Sequence, residues 1–384
     1  MGERRPVIEQ DALAWDGAID ADGHVLEPAS LWPEYLEAAF QERGPRLLVN
    51  DDGWEYFTWE NGGTAPGVPG MLGTMGDKSA VFSADRKYAE AMPFGAADPG
   101  ERIALLDKEN LDAVVLYPTV GLLWEHNITD PVLTLAVMRA YNRWLADFCR
   151  GSNDRLVAIA HLTLLDPEGS ASELRRAVAD GCRGGFVAPF THTRKSLGHP
   201  DHDVLWAAAQ DLGVPIGIHP MFEPPWASPL TRFDDLSDAT AMHSWYWNLN
   251  VRQRNEQAFL SFFAHRTFDR FPRLTIGVLE SGAGWIGSTL DRGDQIQPPY
   301  PGDRRPSEIF RAQCFISGDP DETMLSLVVD HVGADCFVWA SDYPHPDHPP
   351  TYIDAVSRLV SGLSDETRSK LLGGNVRRLY GLSR

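Results

Sequence analysis

Four side chains of the kinds that bind metal ions lie at the ends of predicted strands. The stretch "AIDADGHVLEP" places Asp22 and His24 at the end of the first predicted strand. Side chains two apart on a strand point to the same face, so these two can bind one ion. His219 ends a fifth predicted strand in "GIHP", and Asp342 ends an eighth in "WASDYPHPD". Two carboxylates and two imidazoles suit one divalent metal ion, zinc first, with manganese or iron as alternatives.

Each of these residues also has a purely structural interpretation. An Asp-Gly-His sequence near a strand end is equally typical of a turn. A histidine before a proline, such as His219, is more often a hydrogen-bonded core residue than a ligand. Asp342, which precedes Tyr-Pro, could cap a helix or a turn. Their common position at the ends of strands one, five and eight favours one shared site over four separate structural roles.

The elements that must position these residues alternate along the chain. Continuously apolar runs such as "DAVVLY" and "FVWA" indicate parallel strands covered on both sides. Amphipathic stretches between them predict helices. Eight such strand–helix units predict a (β/α)8 TIM barrel, an α/β fold whose active sites lie at the C-terminal ends of the strands. The predicted strands are residues 18–24, 111–118, 155–164, 182–189, 214–220, 273–282, 313–318 and 336–345.

Two long segments interrupt this alternation, after strands one and five. Residues 40–98 and 221–250 are rich in Gly, Pro and aromatic residues. Loops of this length are usually functional or disordered, and their tryptophans and tyrosines argue against disorder. We therefore predict two lid insertions over the mouth of a single domain spanning residues 1–384. A surface elaboration that only packs against the barrel is the alternative.

Composition limits the partners. The formal net charge of −20 argues against a nucleic-acid backbone or an anionic membrane as the main partner. The chain contains no run of about 18 apolar residues that would predict a membrane span. Its four cysteines form no CxxC pair and are predicted to be buried thiols in a reducing cytoplasm. We expect a cytoplasmic homo-oligomer, a dimer, that acts on a small molecule.

Several motifs together resemble the amidohydrolase superfamily. They are "DADGHVLEP", "GIHP", "LESGAGW", "WASDYPHPD" and "GGNVRRLYGL", and the resemblance runs from Ile19 to Leu382. More narrowly, the chain resembles the amidohydrolase-2 group, which includes aminocarboxymuconate semialdehyde decarboxylase and γ-resorcylate decarboxylase. The resemblance implies a TIM barrel with one divalent metal held by an acid-x-His or His-x-His pair on strand one, a histidine on strand five and an aspartate on strand eight. In this sequence the matching residues are Asp22, His24, His219 and Asp342.

The chain departs from the resemblance at strand six. The decarboxylases of the group usually carry a histidine there, whereas "LESGAGW" places Glu280 at that position. A glutamate near a cation could move protons or could orient a ligand histidine. Members with two metals bridge them with a modified lysine after strand four, but "FVAPFTH" contains no lysine. One metal is therefore the expectation.

The function implied is metal-dependent decarboxylation, without an oxidant, of a small aromatic or unsaturated carboxylic acid. Asp342 would deliver the proton, with Glu280 or His345 assisting, and His243 and Glu27 are candidate substrate contacts. The alternative is a metal-dependent hydrolase of an amide, ester or lactone, with Asp342 as the base. Both enzymes would use the same ligands, so the sequence separates them poorly. A non-catalytic barrel scaffold is a third hypothesis, but it predicts the loss of at least one ligand position.

Overall fold

Eight parallel strands form a nearly closed barrel with helices between them. The computed structural model describes residues 11–75, 77, 79–228, 233–236, 241–346 and 350–383, without the side chains of 236, 241–244, 247 and 251. The barrel strands follow one another in chain order, which is the predicted topology. The strands are β1 (Ala18–Val25), β2 (Arg46–Val49), β3 (Glu55–Trp59), β4 (Gly62–Gly63), β5 (Leu111–Pro118), β6 (Leu156–His161), β7 (Gly184–Val187), β8 (Ile216–Ile218), β9 (Ile276–Val278), β10 (Cys314–Gly318) and β11 (Phe337–Trp339), of which β2–β4 form a separate antiparallel sheet.

Backbone hydrogen bonds at the mouth join the two ends of the barrel sheet. The amide of His24, in β1, donates to the carbonyl of Tyr343 over 2.7 Å, and the amide of Asp342 donates to the carbonyl of Asp22 over 2.9 Å. The end of β1 and the segment after β11 are thereby fixed side by side. The predicted (β/α)8 fold is confirmed.

Three of the long helices begin with the same local signal, an Asp-Pro pair. Asp98, Asp130 and Asp166 each accept a hydrogen bond from a backbone amide of the first turn, over 2.9 Å in each case. The following proline fits the first helical position, where its missing N–H would have no partner anyway. The described α-helices are α1 (Leu31–Tyr35), α2 (Tyr88–Ala91), α3 (Pro99–Glu109), α4 (Gly121–Trp124), α5 (Pro131–Cys149), α6 (Pro167–Ala179), α7 (Asp203–Leu212), α8 (Ala241–Ala264), α9 (Thr267–Arg270), α10 (Trp285–Gln295), α11 (Pro306–Gln313), α12 (Leu325–Val332), α13 (Tyr352–Ser361), α14 (Asp365–Ser369) and α15 (Asn375–Tyr380).

The core has two layers. The larger apolar cluster fills the space between the strands and the surrounding helices. The smaller one fills the barrel interior with alternate strand residues such as Ile19, Val115, Phe186 and Phe315. The barrel is thus a packed core, and polar chemistry is confined to its rim. Among the described residues, no helix is long and apolar enough to cross a membrane.

The two interruptions of the barrel pattern have different structures. Residues 40–98 contain the sheet β2–β4 and the short helix α2. In the second segment, helix α8 already begins at Ala241, so part of the predicted insertion 221–250 is regular helix. That either segment acts as a lid stays a prediction. All four cysteines are free and buried, as predicted.

Candidate metal site

A register irregularity in β1 turns Asp22 and His24 towards the barrel mouth. Ile19 and Ala21 belong to the inner core, so strict alternation would point residues 22 and 24 away from it. Between Asp20 and Gly23, however, β1 contains one residue more than the paired segment of β5, whose partner residues are 114 and 116. An extra residue of this kind moves the following side chains to the other face of the strand. It therefore places the Asp-x-His pair inside the mouth.

Each of the two histidines is oriented by a backbone carbonyl. Nδ1 of His24 lies 2.7 Å from the Pro118 carbonyl oxygen, and Nδ1 of His219 lies 2.7 Å from that of Pro220. A carbonyl oxygen only accepts, so both Nδ1 atoms carry the proton. In the neutral form of each ring Nε2 therefore carries the lone pair, and both Nε2 atoms are buried near Asp22. This is the tautomer that a metal ligand needs, fixed by an outer hydrogen bond.

The predicted ligands converge at the C-terminal ends of β1, β8 and β11, which are the first, fifth and eighth strands of the barrel. Nε2 of His24 is 3.4 Å from Oδ1 of Asp22 and 2.9 Å from Oδ1 of Asp342. Nε2 of His219 is 3.6 Å from Oδ2 of Asp22. Two groups of potential ligand atoms, each within 4.8 Å of one another, share His24: one is Asp22, His24 and His219, and the other is His24, Glu280, Asp342 and His345.

The atoms at the centre of this cluster lack hydrogen bonds. Both carboxylate oxygens of Asp22 and the Nε2 atoms of His24 and His219 are buried and have no hydrogen-bond partner among the residues that the structure describes. Buried polar atoms are nearly always paired, so a group of four acceptors around one point needs a cation or a proton. The donor set, imidazole nitrogen and carboxylate oxygen, fits a divalent transition metal.

The electrostatics of the cluster favour positive charge. Burial by itself raises the pKa of Asp22, but the adjacent His219 and His24 imidazoles reverse this and lower it to about 2. Burial by itself lowers the pKa of His24, but Asp22 and Glu280 raise it above its ordinary value. Asp22 is thus an anion, and the position between the carboxylates attracts a cation.

Asp342 is linked to a buried hydrogen-bonded chain. Nδ1 of His345 lies 2.8 Å from Oδ1 of Asp342, and its Nε2 lies 3.0 Å from Oγ1 of Thr119. The His345 ring also packs on that of His24, with 3.8 Å between ring centroids. Our sequence reasoning missed Thr119. The sequence does contain a signal for Thr119: it is a polar residue directly after β5, the second barrel strand, at the end where active sites lie.

Glu280 lies beside the cluster and reaches solvent. Its Oε2 is 3.4 Å from Nε2 of His219, and its side chain is 17% exposed. Glu280 and Asp342 both have a positive φ, 43° and 54°, which is costly for residues other than glycine. Conformations of this kind concentrate at functional sites because the surrounding structure must hold them. They direct both carboxylates into the mouth.

Asp20 joins the ligand segments without entering the cluster. Its carboxylate accepts the amide of Ser341 at 2.9 Å and the hydroxyl of Ser341 at 2.6 Å. The amide of Asp22 lies 3.3 Å from the same carboxylate. Burial raises the Asp20 pKa, although the hydrogen bonds from Ser341 and the charge of Arg102 oppose the rise. Asp20 therefore sets the relative position of Asp22 and the segment that carries Asp342.

The two predicted substrate contacts, Glu27 and His243, remain predictions. The buried Glu27 carboxylate accepts the amides of Thr119, Val120 and Gly121 over 2.8–3.0 Å, at the start of helix α4. Those bonds give Glu27 a structural role, and a substrate contact stays an unsupported prediction. His243 lies in helix α8, but its side chain is outside the described residues.

The chain belongs to the amidohydrolase family, whose model matches residues 19–382. The γ-resorcylate decarboxylase of Rhizobium sp. (strain MTP-10005) is 26% identical over 299 residues, covering 73% of this chain and 86% of that protein. An amidohydrolase from Mycobacterium avium subsp. paratuberculosis K-10 aligns over 96% of this chain and all of its own, with a TM-score of 0.79 and 21% identity. A dihydroxybenzoic acid decarboxylase from Polaromonas sp. JS666, with bound manganese, covers 96% of this chain and 98% of its own, with a TM-score of 0.66 and 19% identity. These structural likenesses support the barrel fold.

Proposed function

We propose that Asp22, His24, His219 and Asp342 hold one divalent metal ion and that the protein is a metal-dependent decarboxylase of small aromatic carboxylic acids. The observation that supports it most strongly is the set of four buried acceptor atoms on Asp22, His24 and His219 that make no hydrogen bond within the described part of the chain. The decarboxylases among the relatives favour this reaction over others. When bound, the metal would act as a Lewis acid towards the substrate carboxylate and an adjacent oxygen.

Zinc was the expected metal, and the manganese of the Polaromonas enzyme makes manganese an equal candidate. Two carboxylates and two imidazoles accept either ion, because neither donor type is soft. Metal identity is tested by elemental analysis of protein purified without added metal and by the activity restored when each ion is added back to chelated protein.

The chain's own residues provide the proton. Asp342 lies at the cluster and receives a hydrogen bond from Nδ1–H of His345, whose Nε2 contacts the Thr119 hydroxyl. These hydrogen bonds hold the Asp342 carboxylate in one orientation. In the proposed reaction, Asp342 takes the Nδ1 proton of His345 and delivers it to the ring carbon as the bond to CO₂ breaks, and His345 afterwards regains a proton from water. Buried Tyr117 and Phe186, whose rings lie 5.3 and 5.9 Å from that of His219, form apolar surroundings that limit water beneath the site.

Hydrolysis is the second candidate, and Glu280 favours it. A partly exposed carboxylate at the mouth is ionised at neutral pH when a cation lies near, so it is better suited to accept a proton from water than to donate one to carbon. The same ligands would then serve an amide, ester or lactone hydrolase. The position of Glu280 beside His219, 3.4 Å away, also fits a purely orienting role.

One assay separates the two reactions. Purified metal-loaded protein is incubated with dihydroxybenzoates and other aromatic carboxylic acids, and with simple amides, esters and lactones, while CO₂ release and acid release are followed in parallel. We expect CO₂ release from at least one aromatic acid, abolished by chelation and restored by metal. Acid release from the second group, without CO₂ from the first, would replace decarboxylation with hydrolysis.

We further propose that the protein acts in the cytoplasm as a dimer. Support for the compartment comes from the four free, buried thiols, which are typical of a reducing environment. Sedimentation of the purified protein tests the dimer, and a single species at the monomer mass would refute it.

A further inference from the structure

A second cavity borders helix α8, and none of the four proposed metal ligands belongs to its described lining. It encloses about 810 Å³ and is lined by the loop after β7, the loop after β8 and one face of α8. The opposite face of the helix, through Arg252 and Glu256, lines a different cavity that includes Glu280. Helix α8 therefore separates this cavity, which we call the basic cavity, from the one beside the metal ligands.

The charge of the basic cavity is opposite to that of the whole chain. Its described lining contains three basic side chains, Arg194, Lys195 and Arg254, and one acidic side chain, Glu223. Lys195 pairs with Asp201 and Arg254 pairs with Glu223, but the lining still holds two more positive than negative side chains. In a protein of net charge −20, such a local excess of positive charge selects anions against the overall field.

A buried ion pair forms the floor of the basic cavity. Nη1 of Arg254 lies 3.2 Å from Oε2 of Glu223, and their side chains are only 5% and 4% exposed. Burial raises the pKa of Glu223 to about 7 even though Arg254 opposes the shift. Oε2 of Glu223 is in this ion pair but makes no well-aligned hydrogen bond among the described residues, so it is free to accept a hydrogen bond from a ligand hydroxyl or a water molecule.

The rim of the cavity combines a cation with aromatic surface. The Arg194 guanidinium lies 4.9 Å from the centroid of the Trp226 ring, and Phe190 and Tyr246 line the same space. Arg194 has a φ of 59°, a strained conformation for a side chain of this size. A guanidinium held over an aromatic ring can bind an oxyanion while the ring contacts a flat apolar group.

We propose that the basic cavity binds a small organic anion whose oxyanion contacts Arg194 and Arg254 and whose planar apolar part packs on Trp226. The shared chemistry is a carboxylate or a phosphate attached to an aromatic ring. This site is distinct from the proposed metal site, because none of the four proposed metal ligands is among its described lining residues and an anion bound there would need no metal.

Calorimetric titration with benzoate and phenyl phosphate tests the site on protein whose metal has been removed by chelation, because both probes could also bind the metal proposed at Asp22, His24, His219 and Asp342. Arg194→Gln removes one exposed charge on a loop, so it should leave the fold intact. We expect it to weaken binding of the preferred probe about tenfold, since a charge-assisted hydrogen bond is lost. Arg273→Gln makes the same change at an arginine that is 69% exposed and outside the cavity, and should leave affinity unchanged. The probe that binds more tightly identifies the head group.

A second variant tests the aromatic contact. Cyclohexanecarboxylate has the head group of benzoate without a flat ring, so wild-type protein should prefer benzoate and Trp226→Leu should lose that preference. Unchanged affinity in Arg194→Gln, or the absence of binding of both aromatic probes, would overturn the proposal. Equal affinity of wild-type protein for benzoate and cyclohexanecarboxylate would overturn the role of Trp226.

Discussion

Two buried carboxylates near the end of β1 have opposite surroundings. Glu27 accepts three backbone amides, and Asp22 accepts no hydrogen bond at either oxygen among the described residues. Both are almost fully buried. Burial raises the pKa of Glu27 despite its three amides, but for Asp22 the two imidazoles outweigh burial and lower the pKa to about 2. Backbone amides therefore give Glu27 a structural role, whereas Asp22, which lies beside two imidazoles, is the carboxylate that we propose as a metal ligand.

The largest effect is expected at Asp342, which is proposed, like Asp22, as a metal ligand. Asp342→Asn keeps the shape and one oxygen ligand but removes the basic carboxylate. Turnover should fall by about 10²–10⁴-fold, the usual contribution of a positioned acid or base, while metal content falls much less. Rate and metal content are measured on the same preparation. A metal-replete variant with near wild-type turnover would assign the proton step to another group.

Glu280→Gln should have a smaller effect on turnover, because Glu280 touches His219 from the exposed side of the cluster. Glutamine still accepts a hydrogen bond but cannot take up a proton. If Glu280 is a base, kcat falls about tenfold or more and one limb of the pH–rate profile disappears while metal stays bound. An unchanged pH–rate profile would leave it an orienting acceptor.

Glu27→Gln should affect stability instead of metal binding. The glutamine amide group would face a backbone N–H, so at least one hydrogen bond at the start of α4 is lost. The free energy of unfolding should fall by about 1–3 kcal/mol, with metal content unchanged. Asp22→Asn is the matched comparison: it should lower metal content and cost the metal-free protein less stability than Glu27→Gln. The reverse pattern in denaturant titrations would contradict the distinction between the two carboxylates.

The pH dependence of stability should differ between metal-free and metal-loaded protein. The pKa of His24 is raised in the fold, so its charged form stabilises the metal-free protein at low pH, and this contribution is lost as pH rises through the folded pKa. Metal binding needs the neutral ring. Between about pH 8 and pH 6, spanning the ordinary histidine pKa, the Tm of metal-free protein should rise relative to that of metal-loaded protein. Parallel thermal scans check this, and a constant Tm difference would exclude a metal contact at His24.

Much of the barrel could be predicted from the sequence, because buried parallel strands have continuous apolar runs and their C-terminal ends carry the polar residues. The convergence of His219 and Asp342 followed from that rule alone. The irregularity that turns Asp22 inward could not be predicted, because it depends on pairing with β5. The amides that occupy Glu27 come from residues 119–121, and only the fold brings them to this carboxylate.

The positive φ of Glu280 could not be predicted either, because the sequence signals such conformations reliably only at glycine, asparagine or aspartate. The first half of helix α8 was not predicted either. Its aromatic and polar first half has no clear helical periodicity, so residues 241–250 were predicted as part of an insertion, although the structure has them helical.

The most direct test of the central claim is the metal content of His219→Ala. Wild-type protein, exchanged into buffer without free metal, should retain about one equivalent of a divalent ion by elemental analysis. His219→Ala removes one of the acceptor atoms around Asp22, so it should retain far less. His331→Ala, at an exposed histidine that contacts only Asp291 among the described side chains, is the matched control and should match wild type. Full retention of metal by His219→Ala would contradict the proposed ligand set.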